Sequence, residues 1–162
     1  MRKALRVFLP IIMSVSLCSP AAAKDKSADT WISKTAQKAC IDYGNEYFIC
    51  PELLMAIIET ESSGQPKAKN GTCTGLMQVS PRWHTNRMKR LGVKSLYDER
   101  GNVHVGTDYL AELIGEHGDV ATALMVYHGE SDALSKAEQG IISDYAAKIL
   151  ERSAELERLH GK

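Results

Sequence analysis

The chain has 162 residues, with 20 basic against 20 acidic side chains for a net charge of zero, 44% apolar residues and four cysteines. That length fits one domain. The balance supplies no basic face able to neutralise phosphates, so no nucleic-acid partner is expected.

The charge is unevenly spread along the chain. Residues 1–23 open with Arg2, Lys3 and Arg6, run through an apolar stretch from Val7 to Leu17 and close on Ala21, Ala22 and Ala23. Basic, apolar and small residues in that order predict a secretory signal peptide, cleaved before Lys24. The apolar stretch falls short of the ~20 residues a spanning helix needs, so no stable membrane insertion is expected after cleavage. Without the leader's three basic residues the remainder carries a charge of −3 and three cysteines. Cys18 raises lipid modification as an alternative, but Leu17 before it is large where such a signal carries a small residue.

Residues 24–29 are polar and predicted to be disordered. Trp31, Ile32, Ala36, Cys40, Tyr43 and Tyr47 then recur at helical spacing. Pro51 opens a second predicted helix that ends near Ser62, where Ser63-Gly64-Gln65-Pro66 stops it. Residues 64–75 read as loop with a turn at Asn70-Gly71. Ser80-Pro81 starts a helix reaching Leu91. Val103 to Ile114 keeps the helical period until Gly115–Gly118 breaks it, Asp119 caps a short helix through Tyr127, and Ser143 caps the last. No stretch alternates with period two over strand length, so the expected fold is all-α, with about six helices.

On the second helix, Leu54, Ile57, Ile58 and Glu61 share one face, so a carboxylate completes an apolar stripe. Glu59 points elsewhere and is expected to be solvated. Burial and the negative end of the helix dipole both favour a protonated Glu61, the form a general acid requires. A last-turn glutamate otherwise frays into water.

The segments PELLMAIIETESSGQPKA, GLMQVSP and MVYHGE resemble the three signature blocks of the soluble lytic transglycosylase family: Glu-Ser after an apolar helix, Gly-Leu-Met-Gln, and a later Tyr-Asn. The resemblance runs from about Cys50 to Tyr145. It implies a lysozyme-like helical domain of the goose-type lysozyme and lytic transglycosylase kind over residues 30–162. It also implies cleavage of the β-1,4 bond between N-acetylmuramic acid and N-acetylglucosamine in peptidoglycan, at the bacterial envelope or outside the cell. Glu61 would be the acid and then the base, while the substrate's own 6-hydroxyl attacks C1 to leave a 1,6-anhydro sugar. Such a reaction needs one carboxylate, where hydrolysing glycosidases ordinarily use two.

By the same resemblance Ser62 helps orient the site, Gly75, Met77 and Gln78 belong to the opposite cleft wall, and the Tyr127 hydroxyl holds the carboxyl of Glu61. His128 stands where the family has Asn; an imidazole still donates a hydrogen bond but, unlike an amide, titrates. Tyr145 resembles a late family tyrosine near the cleft, with core packing as its preferred role. Export permits disulfides, and a Cys50–Cys73 bridge would tie the catalytic helix to the GLMQ block, with Cys40–Cys50 as the alternative and Cys40 otherwise a buried thiol.

The five histidines form no H-x-x-x-H pair and there is no CxxC, so no metal or cofactor is expected. Arg82, Arg87, Lys89 and Arg90 flank Trp83 on a helix read first as a solvated face and second as a contact for the anionic wall. The rival readings are a lysozyme-type hydrolase and a catalytically silent wall-binding helical protein. A cell-envelope transfer or secretion apparatus is the further partner class such an activity admits, beside wall remodelling and attack on other cells.

Overall fold

A computed structural model describes residues 30–162; the expected leader over 1–23 and the polar segment over 24–29 lie outside the described residues. Helices α1 (Lys34–Tyr47) and α2 (Pro51–Ser62) are followed by a small antiparallel hairpin, β1 (Lys69–Asn70) and β2 (Cys73–Thr74). Then come α3 (Pro81–Arg90), α4 (Glu99–His117), α5 (Val120–His128), α6 (Ala133–Glu138) and α7 (Asp144–Leu159). The expected all-α fold is present, with seven helices among the described residues. The helix without a sequence signal is α6, whose six residues are too few to show a period.

Local chemistry explains most boundaries. Ser33, Asp98, Asp119 and Ser143 each accept a hydrogen bond from a backbone N–H in the first turn of the helix they precede. Pro51 and Pro81 occupy first-turn positions where a missing N–H costs nothing. The fourth helix starts earlier than its apolar period, at Glu99, and passes through Gly115 to stop at left-handed Gly118. The predicted break is therefore a cap at its last residue, since a single helical glycine weakens a helix without ending it.

At the centre lies α2, with α1 on one side and α7 on the other. Leu53 through Ile58 are all buried, so this helix is apolar all round rather than on one stripe. Glu59 consequently is not solvated, contrary to expectation. It is 6% exposed, accepts a hydrogen bond from Thr30 and pairs with Arg152 of α7 at 2.7 Å. Glu52 is buried at the other end of α2 and receives Lys162 and His160, each at 2.7 Å, and the Cys50 thiol at 3.0 Å. Burial alone would raise its pKa, but these bonds hold it down at about 2.

The same geometry corrects the Cys50–Cys73 bridge and its Cys40–Cys50 alternative, because all three cysteines are free. Cys50 precedes the first turn of α2, whereas Cys73 lies near the opposite end, beside Tyr127. Twelve helical residues separate those ends by about 18 Å at the ~1.5 Å rise per residue, well beyond disulfide reach. Burial, together with the bond to Glu52, also pushes the Cys50 thiol up to about 11, which makes it a poor exchange nucleophile. Cys40 is fully buried, as read, and burial raises its thiol further.

Replacing Arg152 with Leu strands the Glu59 carboxylate inside the fold. The expected loss is about 3 kcal/mol in urea denaturation, and the double variant Glu59→Leu/Arg152→Leu should recover most of it.

Candidate active site

Glu61 sits in the last turn of α2, just before Ser63 and Gly64 turn the chain through left-handed conformations. Unlike Glu52 and Glu59 it is only partly buried, and it forms no ion pair among the described residues. Its one hydrogen bond comes from the Tyr145 hydroxyl, which donates to Oε1 at 2.5 Å. Burial raises the Glu61 carboxyl above its ordinary value, while the Tyr145 bond and the nearby His128 act in the opposite direction. The Tyr145 phenol is itself pushed far up, first by burial and then by the Glu61 charge, so it remains a donor.

The tyrosine that holds the carboxyl is thus Tyr145, at the start of α7, rather than Tyr127. Periodicity could not show this, because Tyr145 precedes the apolar stripe of its own helix and meets α2 only when α7 folds across it. Ser143 places it: this residue caps α7 through Ala146 N–H and donates to Glu130 at 2.6 Å. The His128 ring then stacks on Tyr145, with centroids 3.9 Å apart and planes 23° from parallel. An imidazole in the position of the family's amide therefore supports the tyrosine by ring contact.

Tyr127 serves the opposite wall. Its hydroxyl donates to the Met77 carbonyl at 2.8 Å, tying α5 to the GLMQ loop. Two residues without a sequence signal of function complete this anchorage. Asn102 is fully buried on α4; its Nδ2 donates to Thr74 and Leu96 carbonyls, and its Oδ1 accepts from Met77 N–H. One turn later, Gly106 leaves space for Met77, whose sulfur would lie 2.6 Å from any Cβ there. Gly75 has φ +82°, and a Cβ on it would run into Asn102 and the Leu96 carbonyl. Gly75 and the Met77 side chain thus shape the loop from within the core, and the Ser62 hydroxyl is turned back onto the Ile58 carbonyl at 3.0 Å.

Gln78 is different. Its backbone is left-handed at φ +47°, and its Nε2 donates to the carbonyls of Gly75 at 2.8 Å and Ala68 at 3.3 Å. Its buried Oε1 has no donor among the described residues. Together with Tyr127 and His128 it lines a groove of about 530 Å³ that continues past Tyr109 to Trp83. Glu61 stands behind the His128 end of this groove, through Tyr145. A larger groove, about 780 Å³, lies by Trp31 between α2 and α7, but its buried carboxylate, Glu59, is neutralised by Arg152. The chemistry therefore belongs with the smaller one.

Two of the four residues of the expected basic face, Arg87 and Arg90, are tied up in structure, while Arg82 and Lys89 stay exposed. Arg87 and Arg90 of α3 both pair with Asp108 of α4, itself 7% exposed, and Arg87 also reaches Glu112 at 2.9 Å. Asp108 accordingly is no solvated helix-face residue, and bonds from Arg90, Tyr47 and Arg87 outweigh its burial to hold its pKa down. Among the described residues no cluster of His, Cys, Asp or Glu is arranged to hold a metal ion.

An all-α domain with a partly buried carboxyl of raised pKa, held by a phenol behind a polar and aromatic groove, is of the lysozyme-like class. Within that class the chain belongs to the family of the Transglycosylase SLT domain, whose sequence profile matches residues 38–143. It is 40% identical over 85 residues to the protein named Transglycosylase of Enterobacteria phage PRD1, covering 52% of this chain and 31% of that one. It is also 35% identical over 77 residues to the Membrane-bound lytic murein transglycosylase E of Buchnera aphidicola subsp. Acyrthosiphon pisum (strain APS), covering 43% and 35%. The matched stretch thus spans about a third of the length of each curated relative.

Two titrations follow from the pairing of Glu61 and Tyr145. Removing the phenol donor by Tyr145→Phe should move the Glu61 carboxyl still higher, read by carbon NMR of labelled glutamate. Because the folded pKa of Glu61 lies above its unfolded value, its contribution to stability is full below the unfolded value and is lost as pH rises through the folded one. Glu61→Gln should therefore be more stable than the unmutated protein at neutral pH, with the difference fading below the ordinary carboxyl range in pH-dependent urea melts.

Proposed function

We propose that the protein is a peptidoglycan lytic transglycosylase whose catalytic domain is residues 30–162 and whose acid and base is Glu61. The observation that carries the reading is the isolation of that carboxyl. Of the glutamates on α2, Glu52 and Glu59 are neutralised by cations, and Glu61 alone is left partly buried, raised in pKa and held by a phenol. Family membership and the similarity to a phage transglycosylase and a lytic murein transglycosylase support the same chemistry.

In this mechanism protonated Glu61 gives its proton to the glycosidic oxygen as the bond to C1 of N-acetylmuramic acid breaks. The carboxylate then takes a proton from the sugar's 6-hydroxyl as that oxygen closes on C1, leaving a 1,6-anhydro product without consuming water. The Tyr145 hydroxyl stabilises the carboxylate form between the two steps and keeps it from rotating. Gln78, which lines the groove beside Tyr127 and His128, would present its side-chain amide to an acetamide or a hydroxyl of the glycan. Gly75, Met77 and Ser62 act from beneath by fixing the wall that carries Gln78 and the helix end that carries Glu61.

A hydrolase would need a second carboxylate across the cleft. The acid among the residues lining the groove is Glu112, which is paired with Arg87. That pairing favours the intramolecular nucleophile over the hydrolytic alternative. The substrate places the enzyme at the bacterial envelope or outside the cell, in keeping with the leader read from residues 1–23. Wall opening for a transfer or secretion apparatus is one use of such an activity, and no described helix is long and apolar enough to cross a membrane.

Purified sacculi digested with the protein and analysed by mass spectrometry should yield anhydro-muropeptides, and Glu61→Gln should lower their formation by about 10²- to 10⁴-fold. Reducing-end products would assign the hydrolase instead, and intact sacculi with the unmutated protein would overturn catalysis.

A further inference from the structure

The third helix presents a tryptophan that the fold does not use. None of the residues of α3 is buried, and the Trp83 indole is 75% exposed, although an aromatic of this size is among the costliest side chains to leave in water. The Arg82 guanidinium covers one face of the ring at 5.2 Å, leaving the other open. The platform is nonetheless rigidly mounted. Arg87 and Arg90 anchor α3 to Asp108, and Arg87 lies over the Tyr109 ring at 5.2 Å. His84, immediately after Trp83, leaves helical geometry at φ −112° and ψ 16°, and its ring rests on Tyr109 with centroids 4.5 Å apart. This kink sets the direction of the tryptophan at the rim of the groove that runs back to Gln78 and Tyr127.

Resting on the proposed glycan-cleaving function, we propose that Trp83 forms an outlying sugar subsite, stacking one pyranose ring of the strand whose cleaved bond lies at Glu61. A pyranose presents an apolar face of C–H bonds and keeps its hydroxyls at the edge, so an open indole face shields the former while the latter stay hydrated. Continuity of the groove from Gln78 to Trp83 makes the occupant a longer stretch of the same strand rather than a separate molecule.

The chain has two tryptophans, so Trp31→Phe/Glu61→Gln leaves Trp83 as the reporter in a protein without turnover. Titration with peptide-free glycan strands of defined length should give a saturable change in its emission. In the active background Trp83→Ala should raise KM for those strands about tenfold, the scale of one aromatic stacking contact, and Trp83→Phe should recover part of the loss. Unchanged emission overturns the subsite, as does an unaltered KM in a Trp83→Ala protein of native circular dichroism. An emission change produced by free stem peptides but not by glycan would overturn it in favour of peptide recognition. If the unmutated protein leaves sacculi intact, the catalytic reading fails and the emission titration still decides the subsite. If sacculi are cleaved while emission stays silent, the subsite fails alone.

Discussion

A carboxylate enclosed in a protein must be paired, hydrogen-bonded or protonated, and the fold is organised around a helix that has to meet this constraint three times. The second helix is surrounded by the first and the seventh, so its glutamates at 52, 59 and 61 face protein on most sides. Glu52 is met by the chain's last residues and Glu59 by Arg152. Leaving either charge alone would cost several kcal/mol, which is why the cations arrive from elements distant in sequence. Glu61 receives a neutral phenol instead of a cation, and burial raises its carboxyl above the ordinary value in spite of that bond.

The opposite wall is held to comparable tolerance by other means. Gly75 and Gln78 adopt left-handed backbone conformations, and the loop they define is clamped by the Asn102 amide and the Tyr127 hydroxyl and seated over Gly106. Left-handed backbone at a residue with a side chain is strained and persists only where the surroundings over-determine it. Here the result is a Gln78 amide fixed in the groove wall, its oxygen buried and without a donor among the described residues. The acid and this acceptor thus sit on separately braced walls, α2 with α7 on one side and α4 with α5 on the other, as positioning for catalysis requires.

The helices were legible because caps, prolines and apolar periods are local signals; Pro51, Ser80-Pro81, Asp119 and Ser143 each mark a true start. Glu61 was picked out by the Glu-Ser motif that follows an apolar helix, since its place on an apolar stripe by itself also fits a last-turn glutamate fraying into water. Glu59 was misread for a related reason. Facing away from that stripe implies solvent only if the helix has one buried side, and α2 is enclosed on both. The bridge expected between Cys50 and Cys73 failed on length, since bracketing a helix in sequence places two residues at its opposite ends.

Sequence alone settled the all-helical class and the family signature, because these depend on neighbours within a turn or on short contiguous motifs. Tertiary structure decided which tyrosine holds that carboxyl, which guanidiniums are already spent on Asp108, and where the groove runs. Each of these joins residues separated by tens of positions, as with Tyr145 and Glu61, 84 apart in the chain. Their meeting depends on how one helix crosses another, which no local pattern of residues records.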